Sequence, residues 1–97
     1  MPEISVIIPT YNRIKLIERA INSVLNQSHM VNQIIIADDG STDGTKEIIK
    51  EKYPQITYIY QDNKGVSAAR NIGINKTYCN WISFLDSDDT WHLNKIE

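Results

Sequence analysis

The segment Trp81-Ile82-Ser83-Phe84-Leu85-Asp86-Ser87-Asp88-Asp89 reads as a buried strand that finishes in three carboxylates. Apolar runs of this kind normally exclude so much negative charge from the adjoining positions. On an extended chain Asp86 and Asp88 point the same way, about 6–7 Å apart. Such a pair repels itself unless a cation sits between its members or solvent screens it. A hard divalent ion, held by one or two carboxylates and completed by phosphate oxygens, resolves that repulsion. The chemistry suggested is therefore a metal ion with a phosphorylated ligand. The plainer reading is a solvated acidic turn after a strand.

Further polar clusters punctuate the chain at Thr10-Tyr11-Asn12-Arg13 and Asp38-Asp39-Gly40-Ser41. Tyr11 offers a flat face for stacking, or else packs locally. Asp38 and Asp39 with Gly40, Ser41 and Thr42 suit an Asx-type turn and helix cap, although a cap does not call for two adjacent acids. Arg70 carries a planar fork of donors suited to phosphate oxygens. Its alternatives are a solvated helix charge or an ion pair with one of the aspartates. Gly65 allows close backbone approach or simply makes a turn. Lys64 reads as a surface charge, Trp91 as a packing residue, and His29 and His92 match no metal-ligand spacing.

The elements that must position these residues follow a regular alternation. Ile4 to Ile8 is nearly continuous in its apolarity, as a strand buried on both faces should be. Pro9 is expected to end it and Asn12 to cap a helix. Ile14, Ile17, Ile21, Val24 and Leu25 then recur at helical spacing and predict one buried face. Gln33 to Ala37 predicts a second strand, and Ile48, Ile49 and Tyr53 mark the buried side of a second helix closed by Pro54. Ile56 to Tyr60 alternates and predicts a more exposed edge strand. Gly65 opens a third helix carrying Val66, Ala69, Ile72 and Gly73, and the strand before the aspartates is the fourth. Three βα units and a fourth strand predict an α/β, Rossmann-like, mainly parallel sheet with helices on both faces. In such sheets ligands bind beyond the carboxyl ends of the strands, where all three polar clusters fall.

With 97 residues the chain is one domain at most, small for an enzyme that binds two substrates. Its 41% hydrophobic and 23% charged residues describe an ordinary globular protein. A net charge of −2 gives no reason to expect nucleic acid or an anionic membrane as partner. The single Cys79 excludes an internal disulfide and fits a reducing compartment. Glu3 stands where a signal peptide would be basic, and no apolar stretch approaches a membrane span. The expected location is the cytoplasm, with any membrane-surface attachment left to parts of a parent protein outside this chain. From Trp91 the pattern of a helix only begins before the chain stops at Glu97, which reads as a truncation.

Four segments in register carry a family resemblance: Ser5 to Arg13, Ile36 to Thr45, Gly65 to Asn71, and Phe84 to Asp89. In order, spacing and wording they resemble the family 2 glycosyltransferases, over essentially the whole chain. The resemblance implies that residues 1–97 are the nucleotide-diphospho-sugar-binding part of a truncated GT-A domain. It implies an Mg2+ or Mn2+ ion, and a donor that is UDP-sugar by default. Pro9, Thr10, Tyr11, Asp39, Arg70, Asp86 and Ser87 would then line the nucleotide-sugar site. Asp39 would accept the pyrimidine N–H, and Asp38 would support the turn. Arg70 would lie close to the diphosphate. Asp88 would ligate the metal directly, Asp86 would face the ribose or the metal, and Asp89 would assist from behind. The expected reaction is attack by an acceptor hydroxyl on the anomeric carbon, with inversion and a carboxylate as general base. That base and the acceptor site lie beyond residue 97 in relatives, so the chain alone is expected to be inactive. An exposed sheet edge would leave it prone to self-association.

Two other classes remain open at this point. A non-catalytic nucleotide-binding or interaction module would use the same fold. Asp86-Ser87-Asp88-Asp89-Thr90 also fits the D-x-D-x-T pattern of haloacid-dehalogenase-like phosphatases, where the motif follows the first strand of the core and not the fourth.

Overall fold

The computed structural model describes residues 3–27, 31–79 and 81–85. Strands and helices alternate through them as β1 (Ile4–Thr10), α1 (Ile14–Leu25), β2 (Gln33–Asp38), α2 (Thr45–Lys52), β3 (Thr57–Tyr60), α3 (Val66–Asn75) and β4 (Trp81–Phe84). The strands form one parallel sheet in the order β3-β2-β1-β4. The predicted α/β class and the edge position of β3 are both found.

Strand alternation sorts the core into two layers. Val6, Ile8, Ile34 and Ile36 pack with Ile17, Ala20, Ile21 and Val24 of α1 and Ile49 of α2. Ile7, Ile35 and Ala37 pack on the other side with Ala69 of α3. Helices therefore cover both faces, which is why β1 and β2 need unbroken apolar runs. Helix α3 comes close to the sheet: a Cβ added to Gly73 would stand 2.7 Å from Ile7 Cγ2. After stepping outward from β1 to β2 to β3, the chain crosses back through α3 to lay β4 beside β1. That reversal opens the crevice between the carboxyl ends of β1 and β4 where such folds bind ligands.

Several local expectations need correction. Pro9 lies inside β1, in register with Ala37. Odd-numbered residues of β1 face β4, since Leu85 N–H donates to Ile7 O; even ones face β2, since Asp39 N–H donates to Thr10 O. The missing N–H of Pro9 is therefore on the β4 side. The proline removes one donor from that side and leaves the β2 ladder intact through Thr10. Asn12 does not cap α1; the N-cap is Arg13, without a side-chain bond. Leu25 and Val66 are exposed, and Ala20 takes the buried place expected for Leu25. Strand β4 is also less buried than its composition suggests: Trp81 is 62% and Phe84 42% exposed. Only one of its edges is paired among the described residues, and α3 covers the sheet mainly over β1 and β2. Leu85 just beyond it is buried. The helix expected from Trp91 lies outside the described residues.

Candidate functional site

The loops after β1, β2 and β3 meet at the carboxyl edge of the sheet, and side-chain hydrogen bonds tie them together. Asp38, fully buried at the end of β2, accepts from Ser41 N–H at 2.8 Å and from the Tyr58 hydroxyl. It supports the turn, as expected. Burial, followed by the bond to Asp38, pushes the Tyr58 hydroxyl above its ordinary pKa.

Asp39 reaches the opposite way, toward the loop that opens α3. Its Oδ1 accepts from Gln61 Nε2 at 2.7 Å and from Lys64 N–H at 2.7 Å, and its Oδ2 accepts from Gly65 N–H at 3.0 Å. Burial works to raise the Asp39 pKa, but the Lys64, Gln61 and Gly65 donors outweigh it and hold the carboxyl below its ordinary value. An ionised carboxylate has about four acceptor positions, and three are engaged here. Gly65, at φ 100, turns the chain so that its own N–H and that of Lys64 converge on this carboxylate. The Lys64 residue is itself exposed, as expected of a surface charge.

Thr10 ends β1, 4% exposed, with a buried Oγ1 that has no hydrogen-bond partner among the described residues. Pro9 precedes it and is buried; Tyr11 follows it and is 46% exposed, so part of its ring is available. Arg70 lies on α3 with its guanidinium carbon 5.9 Å from the centroid of the Phe84 ring, within cation–π range. Phe84 stands two positions before Asp86 in the chain. This aromatic contact was not among the roles expected for Arg70 from the sequence. Asp86, Ser87, Asp88 and Asp89 lie outside the described residues, as do His29, His92 and Trp91. Among the described residues no cluster of His, Cys, Asp or Glu could hold a metal.

Asp43, Gln61 and Tyr58 were missed from sequence. Asp43 Oδ2 accepts from Ile14 N–H at 3.0 Å, so α1 is capped by a residue 29 positions away. Its Oδ1 accepts from the Thr45 hydroxyl at 2.6 Å. The only available signal was a third acid shortly after the Asp38-Asp39 pair. Gln61 just follows β3 and Tyr58 lies within it, and a polar group at either place is no signal by itself. A 540 Å3 recess lies at the other end of the sheet, lined by Val24, Leu25, Ile34, Ile56, Tyr78 and their neighbours. None of its lining residues is charged, and it is remote from the polar loops.

Residues 5–97 match the family described as Glycosyl transferase family 2. The chain belongs to that family. An uncharacterized glycosyltransferase of Rickettsia conorii (strain ATCC VR-613 / Malish 7) is 50% identical over 98% of the chain, which covers 16% of that protein. Among solved structures, residues 1–349 of S. aureus TarS align over 96% of the chain and 29% of that structure, with TM-score 0.79 and 29% identity. TarS has been solved with UDP and with UDP-GlcNAc. The mannosyltransferase PcManGT of Pyrobaculum calidifontis, solved with GDP-Man and Mn2+, aligns over 93% of the chain and 28% of its own, with TM-score 0.80 and 26% identity. This family 2 chain spans 14–40% of the length of the curated relatives it matches. Asp86 to Asp89 follow the fourth strand in the chain, where the phosphatase pattern calls for the first. Among the described residues no helix is long and apolar enough to cross a membrane.

Proposed function

We propose that this chain is the donor-binding part, residues 1–97, of an inverting glycosyltransferase that uses a nucleotide-diphosphate sugar. The observation that carries the reading is the convergence of three polar loops at the carboxyl edge, beside the β1–β4 switch point, in a family 2 chain. Tyr11, exposed next to buried Pro9 and Thr10 at the end of β1, presents a ring face to the base. Asp39 keeps an ionised carboxylate beside them, with acceptor capacity for a pyrimidine N–H. Arg70, held over Phe84 at the threshold of the acidic motif, faces the diphosphate. Ser87 and Asp86 complete the nucleotide-sugar contacts.

Asp86 and Asp88 offer only hard oxygen donors, which fit Mg2+ or Mn2+ and not a thiophilic metal. Such an ion, when bound, supplies Lewis-acid stabilisation of the departing diphosphate. The general base and the acceptor site belong to residues outside this chain. Support for UDP comes from Asp39 and from the TarS complexes; the PcManGT complex keeps GDP as the competitor. The expected compartment is the cytoplasm, at the membrane surface if other parts of the parent protein attach there. Among the described residues the outer edge of β4 has no partner strand, and a second copy can pair there.

A second reading attends to Asp39 alone. Three engaged acceptor positions make it a tether for the 61–65 loop, in a module that binds without catalysing. Calorimetric titration with UDP and with GDP, each with and without Mn2+, separates the two. The donor-site reading expects metal-dependent UDP binding that Asp88→Ala abolishes and Asp39→Ala weakens by tenfold or more. Absence of nucleotide binding by the folded chain would reject it.

A further inference from the structure

Two loops at the site edge are joined by bonds that run in both directions. Asn12 N–H donates to Ser41 Oγ at 2.8 Å, and Thr42 N–H donates to Asn12 Oδ1 at 2.8 Å. Ile14 N–H donates to Asp43 Oδ2 at 3.0 Å. The β2–α2 loop thereby satisfies three groups of the β1–α1 loop, 29 or 30 positions earlier.

Asn12 adopts φ 51 to do so, and no other non-glycine residue among those described has positive φ. Asparagine enters this region more readily than most residues, though still at some cost. The strain brings no core packing in return, since Asn12 is exposed. Nor is it needed to satisfy polar groups, because water would serve an exposed N–H and amide equally well. What remains is position. The clasp is anchored in the sheet, because Ser41 N–H donates to fully buried Asp38, which also holds Tyr58. Its members flank the two candidate base contacts: Tyr11 directly precedes Asn12, and Asp39 lies between Asp38 and Ser41.

We infer that Asn12, Ser41 and Asp43 are positioning residues that fix the spacing between the Tyr11 ring and the Asp39 carboxylate for one flat heterocyclic base. The inference rests on the donor-site reading above. Pre-ordering both groups removes the entropy of arranging them when the ligand arrives. It also makes the slot intolerant of a base of another width.

The test is calorimetric titration of the full chain and its variants with UDP and GDP in the presence of Mn2+, alongside amide hydrogen exchange. Ser41→Ala removes one acceptor; Asn12→Gly keeps the backbone conformation and removes the other. Each is expected to weaken UDP binding about 3- to 10-fold, the scale of one net hydrogen bond, and to speed exchange at Asn12 or Thr42. Ser41→Thr, which retains the hydroxyl, should bind within twofold of wild type. The deciding readout is coupling to the ring: on a Tyr11→Ala background, Ser41→Ala should cost less than twofold, since nothing is left to position. Equal costs on both backgrounds would mean a merely structural bond and would overturn the inference. Wild-type affinity in both Ser41→Ala and Asn12→Gly would overturn it while leaving the donor site standing. Failure of the wild-type chain to bind either nucleotide would remove the donor-site reading and this one with it.

Discussion

Asp39 and Asp43 each sit where donors converge, and this ties stability to pH. Burial opposes their ionisation, but hydrogen bonds from Lys64, Gln61 and Gly65 in one case, and from Thr45 and Ile14 in the other, leave both carboxyls below their ordinary values. A depressed native pKa means that the unfolded chain binds protons first as pH falls. The stabilisation is complete above the unfolded value, about 4, and is lost as pH drops through it toward the lower native one. Urea midpoints should therefore fall steeply below about pH 4. The Asp39→Asn/Asp43→Asn variant should start lower at pH 7 but lose less between pH 5 and 3. An unchanged slope in that variant would show that other groups carry the acid sensitivity. At this scale Asp38 was read correctly as a turn support. The clasp was not legible, because Asn12, Ser41 and Asp43 meet only once β1 and β2 are side by side.

Among the elements, the contact of α3 with β1 is the tightest point that can be tested simply. Gly73→Ala would gain up to about 1 kcal/mol in helix propensity. Against this, a methyl 2.7 Å from Ile7 Cγ2 must displace a stiff β-branched side chain, and overpacking costs about 1–3 kcal/mol. A net loss of up to about 2 kcal/mol is expected in chemical denaturation. Adding Ile7→Ala should cost less than the two changes summed, because it removes the obstacle. Strict additivity would show that the helix had simply shifted. Sequence patterning exposed the elements well: continuous β-branched runs marked β1 and β2, and the alternation of Ile56 to Tyr60 marked an edge. It misjudged Leu25, Val66 and β4. Apolarity alone does not say which neighbours arrive to cover a side chain, and β4 has only one described neighbour. It also gave Pro9 as a stop, whereas a strand with a different partner on each side can lack a donor on one side and keep its ladder on the other.

For the molecule as a whole, the order β3-β2-β1-β4 among the described residues leaves an outer edge on β4 flanked by exposed Trp81, Ile82 and Phe84. Unpaired edges with apolar neighbours invite another strand. Sedimentation velocity of the 97-residue chain should show dimers or larger species growing with concentration, and Ile82→Lys should suppress them. A monomer across the accessible range would count against pairing there. The same strand order bears on how the chain comes into being. During synthesis β1, β2 and β3 can assemble stepwise, each beside the one before, but the β4 side of β1 has no partner until residue 85 has emerged. Through that interval one side of β1 is a naked border. Pro9 lies on that border, one backbone donor short, and Pro is among the residues that blunt strand edges against wrong partners. A residue that lacks one donor toward β4 thus also guards the nascent chain until β4 has emerged.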